Sequence, residues 1–315
     1  MLELIRVDVR TPPDVARSLQ RAALLAQPGG TAREPTLVRL LRGTYVHRDA
    51  WERLDERERH LVRIAAVAPT LGERRIVAHC SAAAVHDWSV LGGWPDRVAL
   101  TEPDRVRSET RRRSVVLHPT TSTDSIAVTV LGHLVRASSP TVTAADLART
   151  MAFRSSVIVL DQALRRGLDR RSVLALVDDA GPRGAARATR AIAFADARAE
   201  SVGESLMRVV LHELSAPTPV LQHEFRSPRG SLARVDFWFP DQGVVLEFDG
   251  EGKYRDPALR GGRSAEQVVI DEKYREDWVR ALPEVRAVRR VRWAELFRRH
   301  DLARKLLGAG LPLRP

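Results

Sequence analysis

The chain is poor in cysteine, lysine and aromatic residues, and each shortage excludes something. Cys80 is the only cysteine of 315 residues, which rules out an intrachain disulfide and any zinc site built on several thiolates. Its neighbour His79 does not change that, because a lone cysteine between a strand-like and a helix-like stretch reads as core packing. No apolar run reaches the 18 residues or more that a membrane span needs. MLELIRVDVRTPPD at the start lacks a basic segment followed by an apolar one, so neither a signal peptide nor a membrane partner is expected and the expected location is cytoplasmic. The first 200 residues contain no metal-ligand spacing, phosphate loop or nucleophile elbow, and their histidines are scattered, so each reads as structural. No low-complexity segment or internal repeat occurs.

Arginine is abundant instead. Of the 51 basic side chains only Lys253, Lys273 and Lys305 are lysines, and the formal net charge is +11. Such a charge suits a nucleic-acid partner, because phosphate neutralisation dominates that kind of affinity. A solvated basic surface gives the same numbers. Residues 201–315 carry 20 basic and 17 acidic side chains, so most of the excess charge belongs to the first 200 residues.

The length suggests two or three domains. Pro12-Pro13-Asp14 opens an expected helix through Ala26, and a second short helix is expected over Leu37–Leu41, running into a strand at Arg42–Val46. This fits a winged-helix-like module over 1–50, able to place a helix in a DNA groove; a helical cap that binds nothing fits equally. Trp51–Val67 reads as one helix. A mixed α/β region over 51–180 follows, with strands near Arg75–Ala78, Arg97–Thr101, Ser114–His118, Ser125–Val130 and Leu134–Ala137. Ser81–Trp88 is expected to be helical, as is Ala144–Met151 capped by Thr143, with further helices at Ser155–Arg165 and Arg171–Val177. Residues 181–200 read as a turn and a helical connector, and 201–315 as a final domain.

That domain holds the stretch ARVDFWFPDQGVVLEFDGEGK, Ala233–Lys253. Pro240-Asp241-Gln242-Gly243 is a turn signal, and a hairpin centred there sets Phe239 opposite Val244, Phe237 opposite Leu246 and Val235 opposite Phe248, an apolar face. On the other face Trp238 opposes Val245, Asp236 opposes Glu247, and Asp249 follows opposite Arg234. Two carboxylates about 5 Å apart repel by roughly 3 kcal/mol at an effective dielectric near 20, so something must offset the crowding. A divalent metal, a nearby lysine, or protonation of one acid would do so.

Around the hairpin, Ser201–Glu204 starts a helix with Leu206, Met207, Val210, Leu211 and Leu214 in one stripe. Glu204 suits both a capping box with Ser201 and a place beside the acidic site. Val220–Phe225, with Gln222, reads as a strand. After a Pro/Gly/Arg loop at Asp256–Arg263, Ser264 and Gln267 begin a helix that packs Ile270, Tyr274 and Trp278, with Lys273, Glu276, Asp277 and Arg280 on another face. Val285–Trp293 is a strand and Ala294–Leu307 a basic helix. The order is α-β-β-β-α-β-α.

GESLMR (203–208), Gln222, VDFWFP (235–240), LEFDGEGKY (246–254), EKYRED (272–277) and VRRVRW (288–293) together resemble the domain family related to the very-short-patch repair endonucleases, within the PD-(D/E)XK restriction-endonuclease-like superfamily. The resemblance implies an α/β nuclease core with Mg2+ or Mn2+ as cofactor. It makes Asp236 and Glu247 the metal ligands, Glu204 a helix-borne acid and Gln222 a polar group lining the site; Asp249 completes the acidic cluster. Hard oxygen ligands suit such a cation, and a lysine would orient water or stabilise charge on phosphate. The superfamily places that lysine two residues after the glutamate, where this chain has Asp249; Lys253 or Lys273 would have to substitute. In the first half, LVRLLRGTYV (37–46), VAHCSAAAVHDW (77–88), and TVTAADLART to VLDQAL (141–164) resemble the AbiEi-type antitoxin architecture of actinobacterial proteins, which implies DNA binding and a cognate toxin partner in a toxin–antitoxin or phage-defence setting. The expected function is therefore a metal-dependent DNA endonuclease. The alternative is a DNA-binding regulator or antitoxin with an inactive endonuclease-like domain.

Overall fold

The computed structural model describes residues 4–6, 15, 17–19, 36–103, 108–120, 122–226, 232–249 and 265–313, without the side chains of 265–272. The chain is a mixed α/β protein in two compact units. One comprises Met1–Val159 with Leu168–Ile192, the other Leu160–Gly167 with Ala193–Pro315. Among the described residues no helix is long and apolar enough to cross a membrane. The helix expected over Pro12–Ala26 lies largely outside the described residues.

The N-terminal unit begins with a three-stranded antiparallel sheet of β1 (Ile5–Arg6), β2 (Leu37–Leu41) and β3 (Thr44–His47), in the order β1-β3-β2. Leu37–Leu41 is thus a strand and not the expected helix. Five residues make little more than one helical turn, too few to offset nucleation, whereas Gly43 at φ 76° closes a hairpin that pairs them with Thr44–His47. The helix expected over Trp51–Val67 is interrupted. A short α1 (Arg48–Glu52) precedes α2 (Glu56–Val67), because Asp55 accepts from the Glu58 amide at 2.7 Å while the Glu58 carboxylate accepts from the Asp55 amide at 2.8 Å. That capping box starts a new helix.

A six-stranded mixed sheet follows, built from β4 (Ile76–Val77), β5 (Val98–Thr101), β6 (Thr110–Arg111), β7 (Val115–His118), β8 (Ser125–Val130) and β9 (His133–Ser138), in the order β6-β7-β5-β4-β9-β8. Helix α3 (His79–Val85) connects β4 to β5. The core joins Ile64, Val77, Val98, Leu100 and Ala137. Helix α4 (Pro140–Thr150) is capped by Ser139, whose hydroxyl accepts from the Val142 amide at 3.3 Å. The expected cap, Thr143, is buried inside that helix and donates to the Ser138 carbonyl; the proline after Ser139 sits at N1 and moves the start back. Helices α5 (Phe153–Arg165), α6 (Arg170–Asp179) and α7 (Ala185–Phe194) complete this part of the chain.

The C-terminal unit has the expected element order: α8 (Val202–Glu213), β10 (Val220–Arg226), β11 (Leu232–Phe239), β12 (Val244–Asp249), α9 (Ala265–Arg280), β13 (Ala287–Arg292), a 3-10 turn at Trp293–Phe297 and α10 (Arg299–Leu307). Its sheet runs β10-β11-β12-β13, antiparallel except for the β12/β13 pair. A parallel pair needs a crossover, which α9 supplies. A buried ion pair ties residues 160–167 into this unit: Asp161 accepts from Arg208 and from the Asp196 amide, both at 2.7 Å. Burial pushes the Asp161 carboxyl up, against the pull of Arg208.

Candidate functional site

The central hairpin has the register its turn dictates. Phe239 pairs with Val244, Trp238 with Val245 and Phe237 with Leu246. The face with Phe237, Phe239, Val244 and Leu246 is buried. Trp238 and Val245 are covered as well, packed with Val279 of α9 and Val288 of β13. Of the expected stripe Ile270, Tyr274 and Trp278, Trp278 packs on the core beside Val279, Tyr274 is 72% exposed, and the Ile270 side chain lies outside the described residues.

Backbone pairing of β11 with β12 stops after Phe237 and Leu246, one position short of Asp236 and Glu247. There the Asp236 side chain takes over, its Oδ2 accepting from the Phe248 amide at 2.8 Å. Across β10, Gln222 stands at the level of Asp236, between the Leu221–Phe237 and His223–Val235 pairs, with φ 52°. A left-handed backbone at a non-glycine residue inside a strand is costly, of order 1–3 kcal/mol. The Gln222 side-chain amide donates to Glu204 Oε2 at 2.8 Å.

Helix α8 brings Glu204 in. Ser201 caps the helix by accepting from the Glu204 amide at 3.1 Å, and Glu204 Oε2 accepts from the Glu200 amide at 2.9 Å. The expected reciprocal capping box is thus half made: Ser201 caps the helix, but the Glu204 carboxylate reaches the Glu200 amide, one residue before the cap. Gly203 sets the approach of this helix, since a Cβ there would lie 1.9 Å from the Phe248 ring. Glu204 is only 4% exposed, and burial, then the charge of Asp236, raises its pKa.

Glu247 is held by a residue that the sequence reading passed over. Arg275 of α9 donates to its two oxygens at 2.9 and 3.1 Å and to the Arg234 carbonyl at 2.8 Å, so one guanidinium spans the gap where the ladder ends. The Arg234 side chain pairs with Glu200 at 2.8 Å and not with Asp249. Asp249 stands 3.9 Å from Arg292, its partner in the parallel register. Lys273 is exposed, and no hydrogen bond or ion pair joins it to these acids among the described residues. Lys253 lies outside the described residues. Lys305 has a structural role, pairing with Glu295 at 2.8 Å and donating to the Arg290 carbonyl.

Glu204, Gln222 and Asp236 are thus brought together, with Glu247 beside them and Asp249 in a separate loose pair. Hard oxygens suit Mg2+ in kind, but the arrangement does not fit the ion. Both Glu247 oxygens face Arg275 and Asp236 Oδ2 faces an amide. Among the described residues no group of three His, Cys, Asp or Glu is arranged to hold a metal. The carboxylate crowding is met by an arginine, a solution that metal, lysine and protonation did not include. The signal lay inside EKYRED, two residues after Lys273.

A hollow of about 100 Å3 lined by Phe194, Arg208, His212 and Leu221 contains none of these residues. In the N-terminal unit His60 is wholly buried. The Pro95 carbonyl can only accept, so His60 Nδ1 donates to it at 3.0 Å and Nε2 accepts from Ser81 at 2.8 Å. The His79 and His118 rings lie with centroids 4.0 Å apart, tilted by 39°. Burial raises the Cys80 thiol, leaving it a poor nucleophile.

No family model matches the chain. An uncharacterised protein of Mycobacterium tuberculosis, Rv2248, is 35% identical over 124 residues, which is 39% of this chain and 46% of the relative; its counterpart in a second strain, MT2308, matches equally. The chain spans about half the length of these curated relatives. The crystal structure of the Rv2827c protein from the same species aligns over 59% of this chain and 70% of its own, with a TM-score of 0.30 and 17% identity. A likeness that loose carries no argument.

Proposed function

We propose that this chain is a DNA-directed protein with a restriction-endonuclease-like C-terminal unit whose acidic site, held by Arg275, serves binding or regulation, as in an antitoxin-like regulator with a cognate toxin partner. The observation that carries this reading is the Arg275 guanidinium on both Glu247 oxygens, together with Asp249 where a catalytic lysine would stand. The α-β-β-β-α-β-α order supports the endonuclease-like topology, and the net charge of +11 supports a phosphate-rich partner.

A second reading, Mg2+- or Mn2+-dependent hydrolysis of DNA at Asp236 and Glu247, is favoured by a different observation. Buried Glu204 with its raised pKa and left-handed Gln222 meet at Asp236, and perturbed carboxylates and backbone strain concentrate at working sites. Plasmid binding and nicking, measured in parallel with Mg2+, Mn2+ or chelator, separate the two. Binding without nicking is the expected result. Metal-dependent nicking that Asp236→Asn abolishes would establish the second reading, and absence of both binding and nicking would overturn both.

A further inference from the structure

We infer that the edge of the C-terminal sheet beside the acidic residues is a stacking surface for the unpaired bases of a nucleic-acid strand, an inference that rests on the DNA-directed reading and narrows its substrate class. Strand β13 is the edge of its sheet, and aromatic rings step outward from it. Phe248, whose amide holds Asp236, is buried. Trp293 lies 6.1 Å from Phe248 at 76°, and Phe297 lies 5.8 Å from Trp293 at 61°. Exposure rises along the series, from 8% at Phe248 to 37% at Trp293 and 55% at Phe297. Aromatic residues make up only 5% of the chain, so two left in water next to an acidic site need a reason.

The charge of the segment selects the occupant. Residues 287–299 contain Arg289, Arg290, Arg292, Arg298 and Arg299; Arg290 pairs with Glu276 at 2.6 Å and the segment's acid, Glu295, with Lys305, which leaves Arg292 and Arg298 as the cations beside the rings. Arg292 and Arg298 flank the two exposed rings and are themselves exposed, and the distance from Arg292 to Asp249, 3.9 Å, exceeds a hydrogen bond. Arginines that engage phosphate, alternating with rings that accept a π-face, are the elements of single-strand binding. A regular duplex keeps its bases stacked inside and offers this edge only phosphates, so the rings gain nothing from it. An unpaired strand engages both elements, and its backbone is then brought up to the Glu247 and Asp249 end of β12.

The test measures binding of the full chain, at low and at moderate salt, to a labelled single-stranded oligodeoxynucleotide and to a duplex of the same length. Phe297→Ala is expected to weaken strand binding roughly tenfold or more, the usual cost of one lost stacking partner, while duplex affinity moves less than about twofold. Trp293→Phe should retain strand binding and Trp293→Ala lose it; Phe297→Ala, at the more exposed ring, keeps the test open if Trp293→Ala fails to fold. Arg298→Ala should weaken strand and duplex alike. Equal losses on strand and duplex with Phe297→Ala, or none on either, would overturn the stacking surface and leave the DNA-directed reading standing. Binding of neither ligand by the unaltered chain would overturn both. A concentration-dependent dimer that Phe297→Ala dissolves would make the edge an interface between copies and overturn the proposal.

Discussion

Both units bury ionisable side chains, and they differ in which groups carry the cost. In the N-terminal unit the buried histidines give up their charge, while buried Glu102 is paired with Arg75 at 3.3 Å. Burial drives His60, His79 and His118 down to about 4, and it raises Asp146, whose Oδ2 is buried without a hydrogen-bond partner, to about 6. In the C-terminal unit acids are matched by donors: Arg208 on Asp161, Arg275 on Glu247, Gln222 on Glu204 and the Phe248 amide on Asp236. A buried ion pair seldom adds stability over apolar packing, so a region that keeps its acids matched by specific donors is holding a geometry. This contrast, more than the number of acids, marks the C-terminal unit as the place to look for function.

Acid should break the comparison most strongly. The three histidines have folded pKa values below their ordinary 6.5, so the stability they contribute is present above pH 6.5 and is lost as pH falls toward 4. For wholly buried His60 alone this is of order 3 kcal/mol. Asp146 works the other way. Its folded pKa is raised from 3.8 to about 6, so it contributes stability as pH falls through that range. Three groups oppose one, and the N-terminal unit should lose melting temperature steadily between pH 6.5 and 4. His60→Gln should flatten the slope; an unchanged profile would show that His60 is not neutralised by burial.

The next largest effect probes the C-terminal unit. Gly203→Ala drives a methyl into the Phe248 ring. Overpacking of that kind costs about 3 kcal/mol, of which better helix propensity returns up to about 1. A net loss of about 2 kcal/mol in the C-terminal unfolding transition is expected, partly restored by adding Phe248→Leu. A loss below about 0.5 kcal/mol would mean that the ring yields freely and that Gly203 does not set the position of Glu204.

Arg275→Met comes third, removing the donor and leaving Glu247 unpaired. Because the pair is partly exposed, the cost should be about 1–2 kcal/mol. The informative readout is metal. In the unaltered chain the melting temperature should be indifferent to Mg2+, and in the variant Mg2+ should raise it, because the vacated oxygens suit a hard cation. Equal Mg2+ responses in both proteins would show that Arg275 does not stand in for a cation.

What could be read from the sequence depended on whether a signal was local. The hairpin register followed from Pro240–Gly243 and the alternation around it, because a turn fixes pairing on both sides. Gly243, at φ 65° with its amide 3.3 Å from the Pro240 carbonyl, makes that turn. The element order and the middle strands were legible for the same reason. Arg275 was not: with 48 arginines in the chain one more carries no contrast, and it reaches Glu247 only because α9 crosses back over the sheet. Leu37–Leu41 failed differently, since a five-residue apolar run suits either period until its pairing partner is known. Arg234 was set against Asp249 by extending a ladder whose last pair, Phe237 with Leu246, lies three positions earlier.

The smallest effect tests the sign of the contrast within a single residue. Glu204 has a raised folded pKa, first from burial and then from Asp236, so the stability it contributes is present at low pH and lost as pH rises through the folded value. That is the reverse of the histidine-dominated unit. Glu204→Gln removes the titration while retaining an oxygen that can accept from the Glu200 amide. The variant should differ from the unaltered chain by less than about 1 kcal/mol at pH 7, and its C-terminal transition should weaken less as pH rises, the remaining slope belonging to Asp161, which burial also raises. Substituting Asp236 by asparagine tests the second cause separately: it removes the neighbouring charge but not the burial, so the slope should shrink without vanishing. If Glu204→Gln keeps the full slope, the pH response belongs to another acid, and the pairing of Glu204 with Asp236 is not what shapes this site.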